Sequence, residues 1–239
     1  MTISINGSRA TRPKHRQAFT TLTWILLAVG CGGEPKGAPE QAAPNAVPVA
    51  PAIPGPSATP TRRPDRYRVA VETNKGTFTI DVTRALAPLG ADRFHELVTI
   101  GYFSDVRFFR MVPGFIAQFG VHGDPAVYAV WSKATLADEP MRAGNTRGTV
   151  AFATSGPDSR SVQLFVSTGD NRRKLDGQLV FSPIGTVVSG MEVVDSLNSE
   201  YGEEPNYSRL AAQGNAYLAK WFPALDYIKS ARIVPITPP

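Results

Sequence analysis

Arg110 is the side chain best suited to do chemistry in this chain. It ends an aromatic run, and Phe115, Ile116 and Gln118 follow just beyond a Pro113-Gly114 turn. Gln163 and Phe165 stand two apart on a later apolar run, so in a strand they face the same side. One permanently charged guanidinium, one or two amides and several aromatics suit a neutral peptide better than a phosphate or a metal. Other chemistries lack their actors. The sequence has no GxSxG elbow, no GxGxxG, no P-loop and no HExxH. His15, His95 and His122 stand far apart, and Asp138-Glu139 before Pro140 reads as a solvated loop. Hydrolytic and redox mechanisms therefore have no nucleophile–base pair or ligand set to start from.

The elements that must position these groups are short. Tyr67–Glu72 and Thr77–Val82 are β-rich runs joined by Thr73-Asn74-Lys75-Gly76, a hairpin signal. Phe94, Leu97, Val98 and Tyr102 recur at helical spacing and predict a helix over Ala87–Ile100. Val106–Val112, Phe115–Phe119, Gly148–Ala153, Gln163–Ser167, Leu179–Ser182, Gly185–Val188 and Ile233–Val234 read as strands. Met191–Leu197 opens a second helix. Leu210, Gly214, Tyr217, Leu218 and Trp221 mark a third apolar stripe. Many short strands with few helices indicate a closed antiparallel barrel or a sandwich, and periodicity does not choose between them.

The N-terminal quarter has a different character. The first 33 residues hold Arg9, Arg12, Lys14 and Arg16 and no Asp or Glu. The rest carries 21 Lys+Arg against 20 Asp+Glu, so the formal +5 belongs mainly to this segment. It leaves no electrostatic footprint for nucleic acid on the folded part. Ala18–Gly30 is a mostly apolar run of 13 residues, short for a membrane span but suited to the h-region of a signal peptide. It leads directly into Cys31, the only cysteine, so an internal disulfide and a multi-cysteine zinc site are excluded. Leu26-Leu27-Ala28-Val29-Gly30-Cys31 is similar to a bacterial lipobox, with Ala28 where leucine is usual. That similarity implies cleavage before Cys31 and its lipidation. An ordinary secretory signal or an uncleaved anchor is the alternative. From Glu34 to Pro64 there are nine prolines in 31 residues and almost no large apolar side chains, the composition of an extended linker. The expected organisation is a signal peptide over 1–30, a lipidated cysteine and disordered linker over 31–65, and a folded domain over 66–235.

Phe108-Phe109-Arg110-Met111-Val112-Pro113-Gly114-Phe115-Ile116-Ala117-Gln118 resembles the cyclophilin signature F-H-R-x-x-P-G-F-x-x-Q-G. The similarity continues through Gly148–Ala153, Ser155–Ser159, Gln163–Val166, Leu175-Asp176-Gly177 and Gly185–Val194, in order and at matching spacing. The resemblance implies a mainly β fold, a closed eight-stranded antiparallel barrel capped by helices, with Asp195–Asp226 as an added C-terminal helix. It implies peptidyl-prolyl cis/trans isomerisation without a cofactor, acting on proline-containing polypeptides. Arg110 matches the catalytic arginine. Phe115, Ile116, Phe165 and Leu175 match the proline pocket, and Gln118 and Gln163 match peptide-binding residues. Ala153 and Thr154 match the backbone edge that holds the extended peptide. Phe109, Phe119, Thr154 and Lys174 depart from the family pattern at positions where histidine, glycine, asparagine and tryptophan are common. A non-catalytic proline-peptide-binding or chaperone-like module is the second reading. The chain is expected to act as a monomer, tethered to the cell envelope through its N-terminal lipid. In a cell with an outer membrane, Gly32 after the cysteine implies placement there, facing the periplasm.

Overall fold

A computed structural model describes residues 52–57, 61–177 and 181–236. Cys31, the signal segment, the linker up to residue 51 and the first half of the expected strand Leu179–Ser182 lie outside the described residues. The elements run β1 (Arg66–Thr73), β2 (Gly76–Thr83), α1 (Pro88–Thr99), β3 (Val106–Arg107), β4 (Arg110–Val112), β5 (Ile116–Phe119), α2 (Pro125–Trp131) and β6 (Thr149–Phe152). They continue with β7 (Leu164–Ser167), α3 (Arg172–Leu175), β8 (Pro183–Ser189), α4 (Met191–Asp195), α5 (Tyr207–Gln213), α6 (Asn215–Trp221) and β9 (Tyr227–Val234).

The fold is mainly β, but it is not a closed eight-stranded barrel. Among the described residues, nine strands form one curled antiparallel sheet in the order β3-β9-β1-β2-β8-β6-β7-β5-β4. Its two edge strands, β3 and β4, are consecutive in the chain and are separated by Phe108-Phe109. Both phenylalanines are buried, which a continuous strand cannot do on one face, because successive side chains alternate. The expected single run Val106–Val112 therefore breaks there, and covalent connection replaces the missing ladder.

Side-chain alternation gives the sheet two uses. Met111, Ala117, Phe119, Val150, Phe152, Leu164 and Val166 point inward and join the main core with Phe78, Ile80 and Phe94. Ile116, Ala151 and Phe165 point outward and form a second, smaller apolar cluster with Leu175. Gly120 lies where a Cβ would run into the Val162 carbonyl, and its φ is +111°. Only glycine fits there.

Helix α1 has Pro88 in its first turn and no capping side chain of its own. Its free N–H groups are taken from a distance: Glu139 accepts from the Leu89 N–H (2.6 Å) and the Gly90 N–H (3.0 Å). Glu139 is 6% exposed and also pairs with the fully buried Arg160 at 3.1 Å. The reading of Asp138-Glu139 as a solvated loop is thus wrong for Glu139, whose partners lie 21 and about 50 residues away. The added C-terminal helix is also two helices rather than one. Gly214, with φ +58° and ψ −143°, breaks the stripe between α5 and α6. Helix α2 is a further element that apolar spacing did not announce, since only Tyr128 and Trp131 are buried in it.

The described part of the proline-rich stretch lies against the domain. The Trp131 indole donates to the Pro54 carbonyl (3.0 Å), the Ser57 N–H to Glu96 (2.9 Å) and the Arg63 N–H to Asp92 (3.2 Å). Among the described residues no helix is long and apolar enough to cross a membrane.

Candidate active site

The outward face of β4, β5, β7 and β6 carries the site. Arg110 stands opposite Gln118, Gln118 opposite Phe165, and Phe165 opposite Ala151, so one lateral row crosses four strands. Two positions along each strand bring Ile116, Gln163 and Ala153 to the same side. The Pro113-Gly114 turn returns the chain beside β4, and the Asn171 side chain fixes it by donating to the Phe115 carbonyl at 2.7 Å.

Eight of the nine peptide-site residues expected from the sequence line one apolar pocket of about 250 Å³. They are Arg110, Phe115, Ile116, Gln118, Ala153, Thr154, Phe165 and Leu175. The ninth, Gln163, lines an adjoining, larger chamber of about 580 Å³, edged by several hydroxyl side chains, that shares Arg110, Gln118, Ala153 and Thr154 with the first. Phe181 also walls the apolar pocket, meeting Phe165 edge-on at 5.8 Å between centroids. It escaped the sequence reading because it lies between the matched blocks Leu175-Asp176-Gly177 and Gly185–Val194. Lys174, at the position where tryptophan is common, is exposed and does not line this pocket. Its ammonium sits 4.8 Å from the Phe115 ring centroid, and the Arg110 guanidinium lies 5.5 Å from the same ring.

The polar groups form a chain. Arg110 Nη1 donates to Gln118 Oε1 (3.2 Å), Gln118 Nε2 to Gln163 Oε1 (3.0 Å), and Gln163 Nε2 to the Tyr128 hydroxyl (3.0 Å). Tyr128 then meets the Tyr207 hydroxyl at 2.5 Å. Burial, and next the Tyr207 hydroxyl, hold the Tyr128 phenol well above its ordinary pKa, so it stays protonated. At the other end Arg110 Nε donates to Glu203 Oε1 at 2.6 Å, and Nη2 engages the same carboxylate oxygen. Glu203 lies 93 residues from Arg110, and nothing near it in sequence signals this partner.

Ala153 and Thr154 edge both cavities, but their groups are partly committed. The Ala153 N–H bonds the Gln163 carbonyl (2.9 Å), and the Thr154 hydroxyl meets the Gly156 carbonyl (2.5 Å) and Ser159 (2.8 Å). Phe109 is 5% exposed and packs in the core while touching the larger chamber. His122 takes the Asp124 N–H on Nδ1 (3.0 Å) and packs on Tyr102, and His95 meets Tyr67 edge-on. Neither lines the two cavities. Among the described residues no cluster of three potential metal ligands occurs. The arrangement can hold a neutral apolar ring beside a fixed cation and a row of amides.

Residues 68–212 match the model of the cyclophilin type peptidyl-prolyl cis-trans isomerase family. A peptidyl-prolyl cis-trans isomerase of Acinetobacter baylyi is 34% identical over 152 residues, covering 58% of this chain and 77% of that protein. Peptidyl-prolyl cis-trans isomerase A of Dickeya dadantii is 29% identical over 133 residues, 54% of this chain and 70% of the relative. The crystal structure of a Cryptosporidium parvum cyclophilin type isomerase superposes with a TM-score of 0.52 at 19% identity. That match covers 72% of this chain and 99% of the other. The same parasite protein crystallised in the presence of the dipeptide Ala-Pro superposes with a TM-score of 0.50, also at 19% identity. Since the family model spans more than half of the sequence, the chain belongs to the cyclophilin-type peptidyl-prolyl cis-trans isomerases.

Proposed function

We propose that Arg110 supplies the transition-state contact of this isomerase, with Phe115, Ile116, Phe165 and Leu175 holding the substrate proline ring. The uncatalysed X-Pro bond turns over a barrier of about 18–20 kcal/mol because amide resonance resists twisting. Twisting localises a lone pair on the prolyl nitrogen. A guanidinium beside that nitrogen can donate to the lone pair only in the twisted state, which is differential binding of the transition state. The observation that carries this reading is the placing of one fixed cation at the rim of an apolar pocket. The pocket strips water from the proline and favours the less solvated twisted amide.

Gln118, Gln163 and the Ala153–Thr154 edge would hold the peptide on either side of the rotating bond. Because the Ala153 N–H is committed within the domain, its carbonyl is the group to accept a substrate N–H. The substrates are proline-containing polypeptides, a class consistent with the Ala-Pro dipeptide used with the Cryptosporidium parvum protein. A protease-coupled isomerisation assay of the full chain on an Ala-Pro peptide tests the activity. Turnover no faster than the spontaneous rate would leave only a peptide-binding module.

For the cell, we propose a lipid anchor at Cys31 that holds the domain outside the cytoplasm, where envelope and secreted proteins are its clients. The support is the short apolar run ending in small residues before the only cysteine. One acyl chain binds a membrane marginally, whereas several anchor it stably. The protein should fractionate with membranes, and Cys31→Ser should release it or block its processing. An unmodified Cys31 thiol in a soluble, cleaved protein would leave an ordinary secreted isomerase.

A further inference from the structure

The polar chain across the site has both of its ends on one short segment. Glu203 holds Arg110 at one end and Tyr207 holds Tyr128 at the other, four residues apart. That segment lies between α4 and α5 and has its own scaffold. The Met111 N–H of β4 donates to the Gly202 carbonyl (3.1 Å), and Tyr201 meets Phe222 edge-on at 5.3 Å. Asp226 accepts from the Asn198 N–H at 2.6 Å and from the Asn74 side chain at 2.6 Å, tying the same region to β1, β2 and β9. The Asn206 side chain starts α5 by accepting from the Arg209 N–H (3.0 Å), which fixes Tyr207 at the first helical position.

We infer that Glu203–Tyr207 is a clamp that completes the active site, with Glu203 the positioning residue for Arg110. A guanidinium has five N–H donors. Glu203 takes the Nε–H and lies against Nη2 as an ion pair, and Gln118 takes one N–H on Nη1. The remaining N–H groups sit on the two terminal nitrogens, the end of the guanidinium left for the substrate. An arginine side chain otherwise loses much rotamer freedom when it must hold one orientation. Glu203 and Gln118 spend that entropy before substrate arrives, which raises the rate rather than the affinity. Tyr207 does the same for the amides through Tyr128 and Gln163. This inference rests on Arg110 acting in the reaction, as proposed above.

The experiment is a double-mutant cycle on the full chain. Turnover and KM are measured for Glu203→Gln, Arg110→Ala and the pair, with thermal melting as a control. The Glu203 carboxylate is 61% exposed, and exposed pairs are modest, so Glu203→Gln should lower kcat about five-fold with little change in KM or melting temperature. Glu203→Asp should recover part of the loss. In the Arg110→Ala background Glu203→Gln should change nothing further. Tyr207→Phe, which keeps the ring, should also lower kcat. A faster Glu203→Gln enzyme would mean that the carboxylate masks Arg110, and the clamp would be refuted. Equal losses in both backgrounds would refute it too while leaving Arg110 in the mechanism. A fully active Arg110→Ala protein would instead remove the Arg110 reading, and the clamp with it.

Discussion

Arg110→Ala tests the mechanism most directly. The substitution removes two kinds of contact that the structure separates. Toward the protein, Arg110 pairs with Glu203 and Gln118 at a site where its own side chain is 30% exposed and that of Glu203 is 61% exposed. Water screens that pair, so its loss should cost the fold no more than about 1 kcal/mol. Toward the substrate, the remaining N–H groups on the terminal nitrogens of a permanent cation are available. A hydrogen bond to a charged group contributes about 1.5–3 kcal/mol when it forms. One such bond, made only in the twisted state and partly shielded by the apolar pocket, is worth about 3 kcal/mol, or about a hundredfold in kcat/KM.

The assay is protease-coupled isomerisation of an Ala-Pro peptide at several enzyme concentrations, with circular dichroism and melting to establish folding. Arg110→Lys sharpens the result. Lysine keeps the charge but offers a point ammonium instead of a planar fork, so it should recover little of the lost rate. A folded Arg110→Ala protein with unaltered kcat/KM would remove the arginine from the mechanism. Full rescue by lysine would show that charge alone matters and that the fork geometry argued here is irrelevant.

Three further outcomes follow from the same structure. Glu139→Ala should destabilise the domain by about 3 kcal/mol, since it removes the nearer of two carboxylates paired with the buried Arg160, leaving Asp138 at 3.7 Å, and uncaps α1; a melting temperature within a degree or two of the parent would contradict this. Burial holds the His95 and His122 imidazoles below their ordinary pKa. The unfolded chain then takes up protons first as the pH drops through about 6.5, and urea-unfolding free energy should fall between pH 7 and pH 5. His95→Gln/His122→Gln should flatten that slope, and parallel profiles would refute it. Chelation with EDTA should leave isomerase turnover unchanged, and loss of activity restored by an added metal would refute this.

The legible parts of this molecule are the local ones. The β1–β2 hairpin was readable because a short polar link ending in glycine joins two β-rich runs; the structure narrows the four-residue link read from the sequence to Asn74-Lys75, with Thr73 facing Gly76. Arg110, Phe115, Ile116 and Gln118 could be grouped because they lie within nine residues around one turn, and Gln163 and Phe165 because they share one strand face; their reading as a proline pocket came from the family resemblance. Three things resisted. Phe108 and Phe109 look like strand residues, yet both enter the core, and that choice is made by the closing geometry of the sheet. Glu139 reads as an ordinary loop acid because its value comes from a buried arginine and a helix start far away in the chain. Glu203 reads the same way because its partner is 93 residues distant. Propensity and period describe neighbours, and charges at long range obey neither.

The segment that carries Glu203 also answers a structural problem. Strand β4 ends the sheet, and an edge strand exposes unpaired backbone groups that invite association with another chain. The catalytic cation proposed here starts that edge strand. Covering the edge with another strand would crowd the pocket beside Arg110, whereas leaving it bare would leave the Met111 N–H unanswered. A loop that meets β4 by the single Gly202 carbonyl satisfies that donor and leaves the outward face open. Once a loop must lie there, its next residue falls beside the guanidinium, and Glu203 occupies that place. Edge protection and site completion thus use the same few residues. A substitution that loosens the loop away from the carboxylate, such as Tyr201→Ala, should therefore weaken both turnover and resistance to self-association.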